Sequence, residues 1–200
     1  MIWDLVANVL RRARQQPELP PLHVNELGWL EGEDVTIIKT HPSWYYSRLS
    51  TPTGDPIAVV WHASATAPGT AINMARRRSV PRTPTDRAAS WAISIEATGA
   101  IVQQASCEVG CWHAKGRIKG AGPANRVSTS IELIGFERGP WPLAQVHAAM
   151  RVERALVQSY GIERSLAAVP HSVIDPADRS DPGKLWMREH MPAVLAYAFA

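Results

Sequence analysis

Cysteine is scarce in this 200-residue chain, with only Cys107 and Cys111. Two thiols cannot build a disulfide scaffold or a four-cysteine zinc module. Four residues apart, they are left as a metal pair, a short-loop disulfide or free thiols. Long apolar runs are lacking as well. The longest stretch free of Asp, Glu, Lys and Arg, Pro56–Ala75, holds His62, two prolines, a glycine and several hydroxyls. A membrane helix needs ~20 mostly apolar residues, so no transmembrane segment is expected. Charge of one sign is also weak. Twenty-one Lys and Arg against eighteen Asp and Glu leave +3, too mild to argue for nucleic acid. The basic, glycine-rich stretch Ala114–Gly122 lacks the G-x-x-x-x-G-K-[ST] spacing, which excludes a phosphate loop. There is no internal repeat and no low-complexity segment. A secretory signal has its positive charge before its apolar run, whereas here Asp4 comes first and Arg11, Arg12 and Arg14 follow. Synthesis in the cytoplasm without a signal peptide is the expectation.

What is present fits one ordinary domain. Hydrophobic residues make up 46% and charged residues 20%, enough to bury a sizeable core. Eight Trp and seven His stand out, residues that suit sugar stacking, metal binding and acid–base work. Apolar positions 2, 3, 5, 6, 9 and 10 predict an N-terminal helix, and residues 16–56 are rich in Pro, Gly and polar residues with one short strand candidate at Val35–Lys39. Residues 1–54 therefore read as a helix and extension packed on a domain spanning 55–200. Ile57–His62 is the first strong strand, Pro68–Arg78 a helix, and Ser90–Glu96 with Ala100–Gln104 a hairpin turning at Gly99. Residues 105–127 read as loop and Ser128–Phe136 as a strand. Leu143–Tyr160 reads as a helix closed by Gly161, and a proline-broken loop, 170–183, leads to a final helix at about 184–199. The order predicts an α/β fold: a single mixed central β-sheet with helices packed on it.

Four segments carry candidate chemistry. His62 ends a strand before Ala63-Ser64-Ala65-Thr66, small residues that leave room for a ligand, although a hydrogen-bonded structural His is the ordinary alternative. Pro170–Gly183 places His171, Asp175, Asp178 and Asp181 in a loop pinned by three prolines, a composition that suits zinc as well as backbone-capping turns. His62, His171 and one of these aspartates would leave a coordination position open for water. Glu132 lies inside a strand, where a carboxylate is disfavoured unless it faces solvent or has a task such as general base. Cys111-Trp-His-Ala-Lys-Gly116 joins an aromatic, an imidazole and a cation in one loop, which reads first as a buried aromatic beside a hydrogen-bonded His and second as a substrate contact. Arg76–Arg78, with Arg82 and Arg87, reads first as a solvated basic face and second as affinity for an anionic polymer.

Together these segments resemble the zinc-dependent N-acetylmuramoyl-L-alanine amidases of the type 2 family. That family includes phage endolysins and muropeptide-recycling amidases, and peptidoglycan-recognition proteins share its fold. Val59-Val-Trp-His62, with Ser64, resembles the strand that ends in His-x-[ST]. Cys111–Gly116 resembles the W-H-A-G loop, and Asn125–Glu132 resembles N-D-x-S-I-G-I-E. His171–Gly183 resembles H-S-D-I-A-P-G-R-K-T-D-P-G without a gap.

The resemblance covers about residues 55–190. It implies a Zn2+ ion held by His62, His171 and Asp181, selecting among the three aspartates, with Glu132 as the catalytic carboxylate. Arg179 takes a position where many members have Lys, implying oxyanion stabilisation. Trp91 stands where many have an active-site Tyr, and Ala92 where a His is frequent. Trp112, His113, Lys115 and Asn125 would line the groove with Trp91. The implied activity is hydrolysis of the amide between N-acetylmuramic acid and L-alanine in peptidoglycan, bacteriolytic and endolysin-like, by a monomer acting on the cell wall after release. The alternatives are a non-catalytic peptidoglycan-binding protein and a cytosolic amidase recycling anhydro-muropeptides.

Overall fold

The computed structural model describes residues 19–87 and 89–200. The N-terminal helix expected at 2–10 lies outside the described residues. The fold is built on a six-stranded sheet of β1 (Val35–Ile37), β2 (Ala58–Ala63), β3 (Ile93–Ile95), β4 (Ile101–Gln103), β5 (Ser128–Leu133) and β6 (Val169–Pro170). Their spatial order is β6-β2-β5-β3-β4-β1. Only the β3–β4 hairpin is antiparallel; the other four pairings are parallel, so the sheet is mixed as expected. The hairpin turns through Gly99 at φ +87°, a conformation that glycine adopts without penalty.

Register decides what each face carries. In β2 and β5, Ser128 stands beside Ala58 and Glu132 beside His62, and Glu132 also stands beside Ser94 of β3. Because side chains alternate, His62, Ser94, Ser130 and Glu132 share one face, and Val59, Trp61, Ile131 and Leu133 share the other. The second face is the main core. There α2 (Leu143–Tyr160) contributes Val146, Ala149, Val152 and Leu156, all buried against the strands. Trp186 of α3 (Lys184–Glu189) stacks on Trp61 at 5.7 Å and meets Trp141 edge-on at 5.4 Å. Fully burying such side chains stabilises the fold by roughly 1.5–3 kcal/mol each. Helix α2 ends as anticipated at Gly161, whose left-handed φ of +63° lets its N–H reach the Val157 carbonyl at 2.9 Å.

The first face carries the candidate site residues His62 and Glu132. Helix α1 (Ala71–Arg78) covers one part of it through Ala71 and Ala75, and its first turn is capped by the Glu96 carboxylate, which accepts from Gly69 and Ala71 N–H at 2.8 and 2.7 Å. A second small cluster, including Ala58, Val60, Ile118 and Val127, covers another part.

Several segments differ from the sequence expectation. The stretch read as loop, 105–127, contains Val109–Cys111, paired with Tyr45–Arg48, a ribbon of Arg117–Ile118 with Gly122–Pro123, and a helical turn at Ala124–Val127. Alternation is not detectable in strands of two or three residues. The last helix is two, α3 and α4 (Met191–Ala198), separated at His190 just before Pro192. Residues 19–54 join the same body: β1 is the edge strand, Leu30 is buried, and its N–H donates to buried Gln103 at 2.6 Å. Arg151 of α2 also grips this segment, donating to both Asp34 oxygens and to the Pro20 carbonyl.

Candidate metal centre and active site

At the carboxyl end of β2, His62 meets His171, the first residue after β6, and Asp181 from the following loop. His62 Nδ1 lies 3.0 Å from His171 Nδ1 and 3.2 Å from Asp181 Oδ2, and His171 Nδ1 lies 3.1 Å from the same oxygen. All three side chains are buried. Two imidazole nitrogens and one carboxylate oxygen thus converge on a triangle with edges of 3.0–3.2 Å. Metal–ligand bonds of ~2.0–2.1 Å in a tetrahedron place ligand atoms roughly 3.3 Å apart, so both donor set and spacing fit a zinc-sized ion. Asp175 and Asp178 stand outside this group, and Asp181 is the aspartate that meets the two histidines. Against its own desolvation, hydrogen bonds with His171 and His62 hold the Asp181 carboxyl well below its usual range. Burial holds the His62 imidazole below its usual range, opposed by Asp181.

Glu132 is buried beside His62 in the sheet. Burial, then the charge of Asp181, pushes its carboxyl up to about 8, while Arg78 and Arg179 pull it down. A carboxyl poised near neutrality can take and return a proton. Arg78 is the residue that sequence reasoning missed, because it was grouped with a solvated basic face. Its guanidinium lies over the Trp91 ring at 4.0 Å and the Trp44 ring at 5.7 Å, and its Nε donates to the Ala89 carbonyl at 3.0 Å. The signal was present: Ala71, Ala75 and Arg78 fall on one helical stripe, the stripe that packs on the sheet.

A cleft of about 510 Å³ opens beside the triangle, bordered by Tyr46, Trp112, Asn125, His171, Asp175 and Arg179, and Lys115 also borders it. One face of Trp112 is covered by the Arg82 guanidinium at 4.1 Å, and Tyr46 packs on the indole at 5.3 Å with an interplanar angle of 77°. A sugar therefore cannot use that covered face. Asn125 braces the loop from below, its Oδ1 accepting from the His113 and Ala114 N–H groups at 3.1 and 2.8 Å. Trp91 is not among the cleft-bordering residues. It is buried, its indole N–H donates to Ser94 Oγ at 2.6 Å, and its ring carries Arg78. His113 borders the cleft, but both of its ring nitrogens are engaged, with His62 and with Ser128. Cys107 and Cys111 are free, and burial pushes both thiols up to about 12, which makes them inert.

Residues 52–184 match the family model for N-acetylmuramoyl-L-alanine amidase. Among solved structures, a selenomethionine derivative of AmpD superposes with a TM-score of 0.69 at 22% identity, over 86% of this chain and 98% of that one. The catalytic domain of XlyA gives 0.59 at 22% identity, over 82% and 98%. A mutant endolysin from Bacillus subtilis gives 0.56 at 21%, over 82% and 97%. At these identities the likeness is one of fold. No curated protein matches the sequence closely enough to count as a relative. With its motifs on one sheet face and a family match over well more than half its length, the chain belongs to the type 2 N-acetylmuramoyl-L-alanine amidases.

Proposed function

We propose that the protein is a zinc-dependent amidase that cleaves the bond between N-acetylmuramic acid and L-alanine. The observation that carries this reading is the buried His62–His171–Asp181 triangle beside Glu132. Zinc held by those three side chains would supply Lewis acidity and a water acidic enough to ionise near neutral pH. Glu132 takes a proton from the attacking water and returns it to the departing L-alanine amine. Arg179, at the cleft, offers guanidinium donors to the oxygen that gains charge as the carbonyl is attacked. Trp112, Lys115 and Asn125 bind the muropeptide along the cleft, and Trp91 acts from behind by holding Arg78 next to Glu132.

The role is endolysin-like: a monomer made in the cytoplasm that degrades the wall after release. Arg82, Lys115 and Arg179 around the cleft suit an extended anionic polymer. Mass spectrometry of products from intact sacculi, beside those from soluble anhydro-muropeptides, tests both parts. Stem peptides released from sacculi, with release abolished by a chelator and restored by zinc, are the expected result. Wall binding without released peptide would replace the enzyme with a receptor, and cleavage of the soluble substrate alone would replace the lytic role with recycling.

A further inference from the structure

His113 and Ser128 sit directly behind His62. Their hydrogen bonds have a direction that can be worked out from the proton each group owns. The Ser128 hydroxyl has one hydrogen, which it donates to the Ala124 carbonyl at 2.7 Å. Toward His113 Nε2, 3.2 Å away, its oxygen is therefore an acceptor, and that nitrogen carries hydrogen. His113 Nδ1 lies 3.1 Å from His62 Nε2. His62 meets His171 and Asp181 through Nδ1, so an ion held there would leave the ring hydrogen of His62 on Nε2. His113 Nδ1 is then the acceptor and His62 Nε2–H the donor.

We propose that His113, anchored by Ser128, is a positioning residue that accepts the Nε2–H of His62 and so holds that ring with Nδ1 turned to the metal. The turn Ala124–Val127 serves both ends of the device. Asn125 fixes the His113 main chain, and Ala124 takes the Ser128 proton that orients the relay. The role deepens the metal-centre reading above and rests on it. It assigns His113 to the metal ligand, where the resemblance implied contact with substrate. Partners of this kind are worth about 10–100-fold in metal affinity.

Two measurements test it without reference to turnover. Nitrogen NMR of the zinc-loaded wild type should show His62 protonated at Nε2, with that proton hydrogen-bonded. Competition with a chelating dye should show His113→Ala binding zinc about 10–100-fold more weakly than wild type. His113→Asn, which restores an acceptor oxygen near the place of Nδ1, should recover most of that loss. A zinc-loaded wild type with the proton on Nδ1 of His62 would overturn the proposal. So would wild-type zinc affinity in folded His113→Ala, or His113→Asn no better than His113→Ala. If His113→Ala does not fold, His113→Asn against wild type and the NMR tautomer decide. A wild type that binds no zinc would sink the metal-centre reading itself, whereas a wild type that binds zinc no better than folded His113→Ala would sink only the role of His113.

Discussion

Each face of the central sheet buries a glutamate, and the two are treated in opposite ways. On the front, Glu132 is flanked by His62 and Ser94 in neighbouring strands, with Arg78 and Arg179 acting against its desolvation. On the back, Glu153 of α2 is fully buried, and neither of its oxygens makes a hydrogen bond among the described residues. Burial pushes the Glu153 carboxyl well above its usual range, with the Trp61 indole the one opposing influence. Burial alone therefore does not mark a functional carboxylate. What distinguishes Glu132 is the set of cations and ligands that leave its ionised form within reach near neutral pH.

The largest test of that difference is Glu132→Gln. It removes the group proposed to move the proton while keeping its shape, so on that reading kcat should fall by about 10²–10⁴-fold with zinc binding retained. Peptide release from muropeptide, measured beside metal content, checks this, and a loss below about tenfold would place the base elsewhere. Arg78→Met should have a smaller, pH-dependent effect. The thioether still fills the space between Trp44 and Trp91, but the charge that pulls the Glu132 carboxyl down is gone. Glu132 must be ionised to accept a proton, so raising its pKa moves the acid limb of the kcat/KM profile to higher pH. A several-fold loss at about pH 6 that shrinks toward about pH 9 is expected. A loss uniform across pH would mean that Arg78 acts on packing or substrate instead.

The same contrast explains how far the sequence could be read. β2 and β5 were legible because Ile57–His62 is rich in β-branched and aromatic residues and Ser128–Leu133 alternates along a strand, and Leu143–Tyr160 because its period runs unbroken to a left-handed glycine. The Asp181 assignment needed the spacing of the whole His171–Gly183 motif, since loop composition treats three aspartates alike. Arg78 was hidden by Arg76 and Arg77 just before it in the same turn, and only its place on the Ala71–Ala75 stripe separates it from them. The loop Cys111–Gly116 by itself allowed a hydrogen-bonded His beside a buried aromatic, which is how His113 is held; its place in the substrate groove came only from the resemblance, because a motif reports which residues are near chemistry, not whether they face the cleft or the ligand behind it. The small ribbons in 105–127 left no trace, because two-residue strands are held by tertiary contacts and not by pattern.

Glu153 offers the weakest test on activity and the cleanest on stability. Nothing in the cleft touches it, so Glu153→Leu should leave peptide release unchanged. Its folded pKa lies above the ordinary value of 4.5, so the folded state holds a proton that the unfolded chain gives up. The stability tied to that proton is full below about pH 4.5 and is lost as pH rises toward the folded pKa. Leucine carries no such penalty. An unpartnered buried polar group costs roughly 1–3 kcal/mol, so the variant should melt about 2–10 °C above wild type near pH 8. The gap should narrow as the pH is lowered toward about 4.5, where the wild-type carboxyl is protonated folded or unfolded. Calorimetric melting of both proteins across that range checks the sign. A gap that widens on acidification would mean that Glu153 is ionised in the fold, and the back face would then hold a charge with a task of its own.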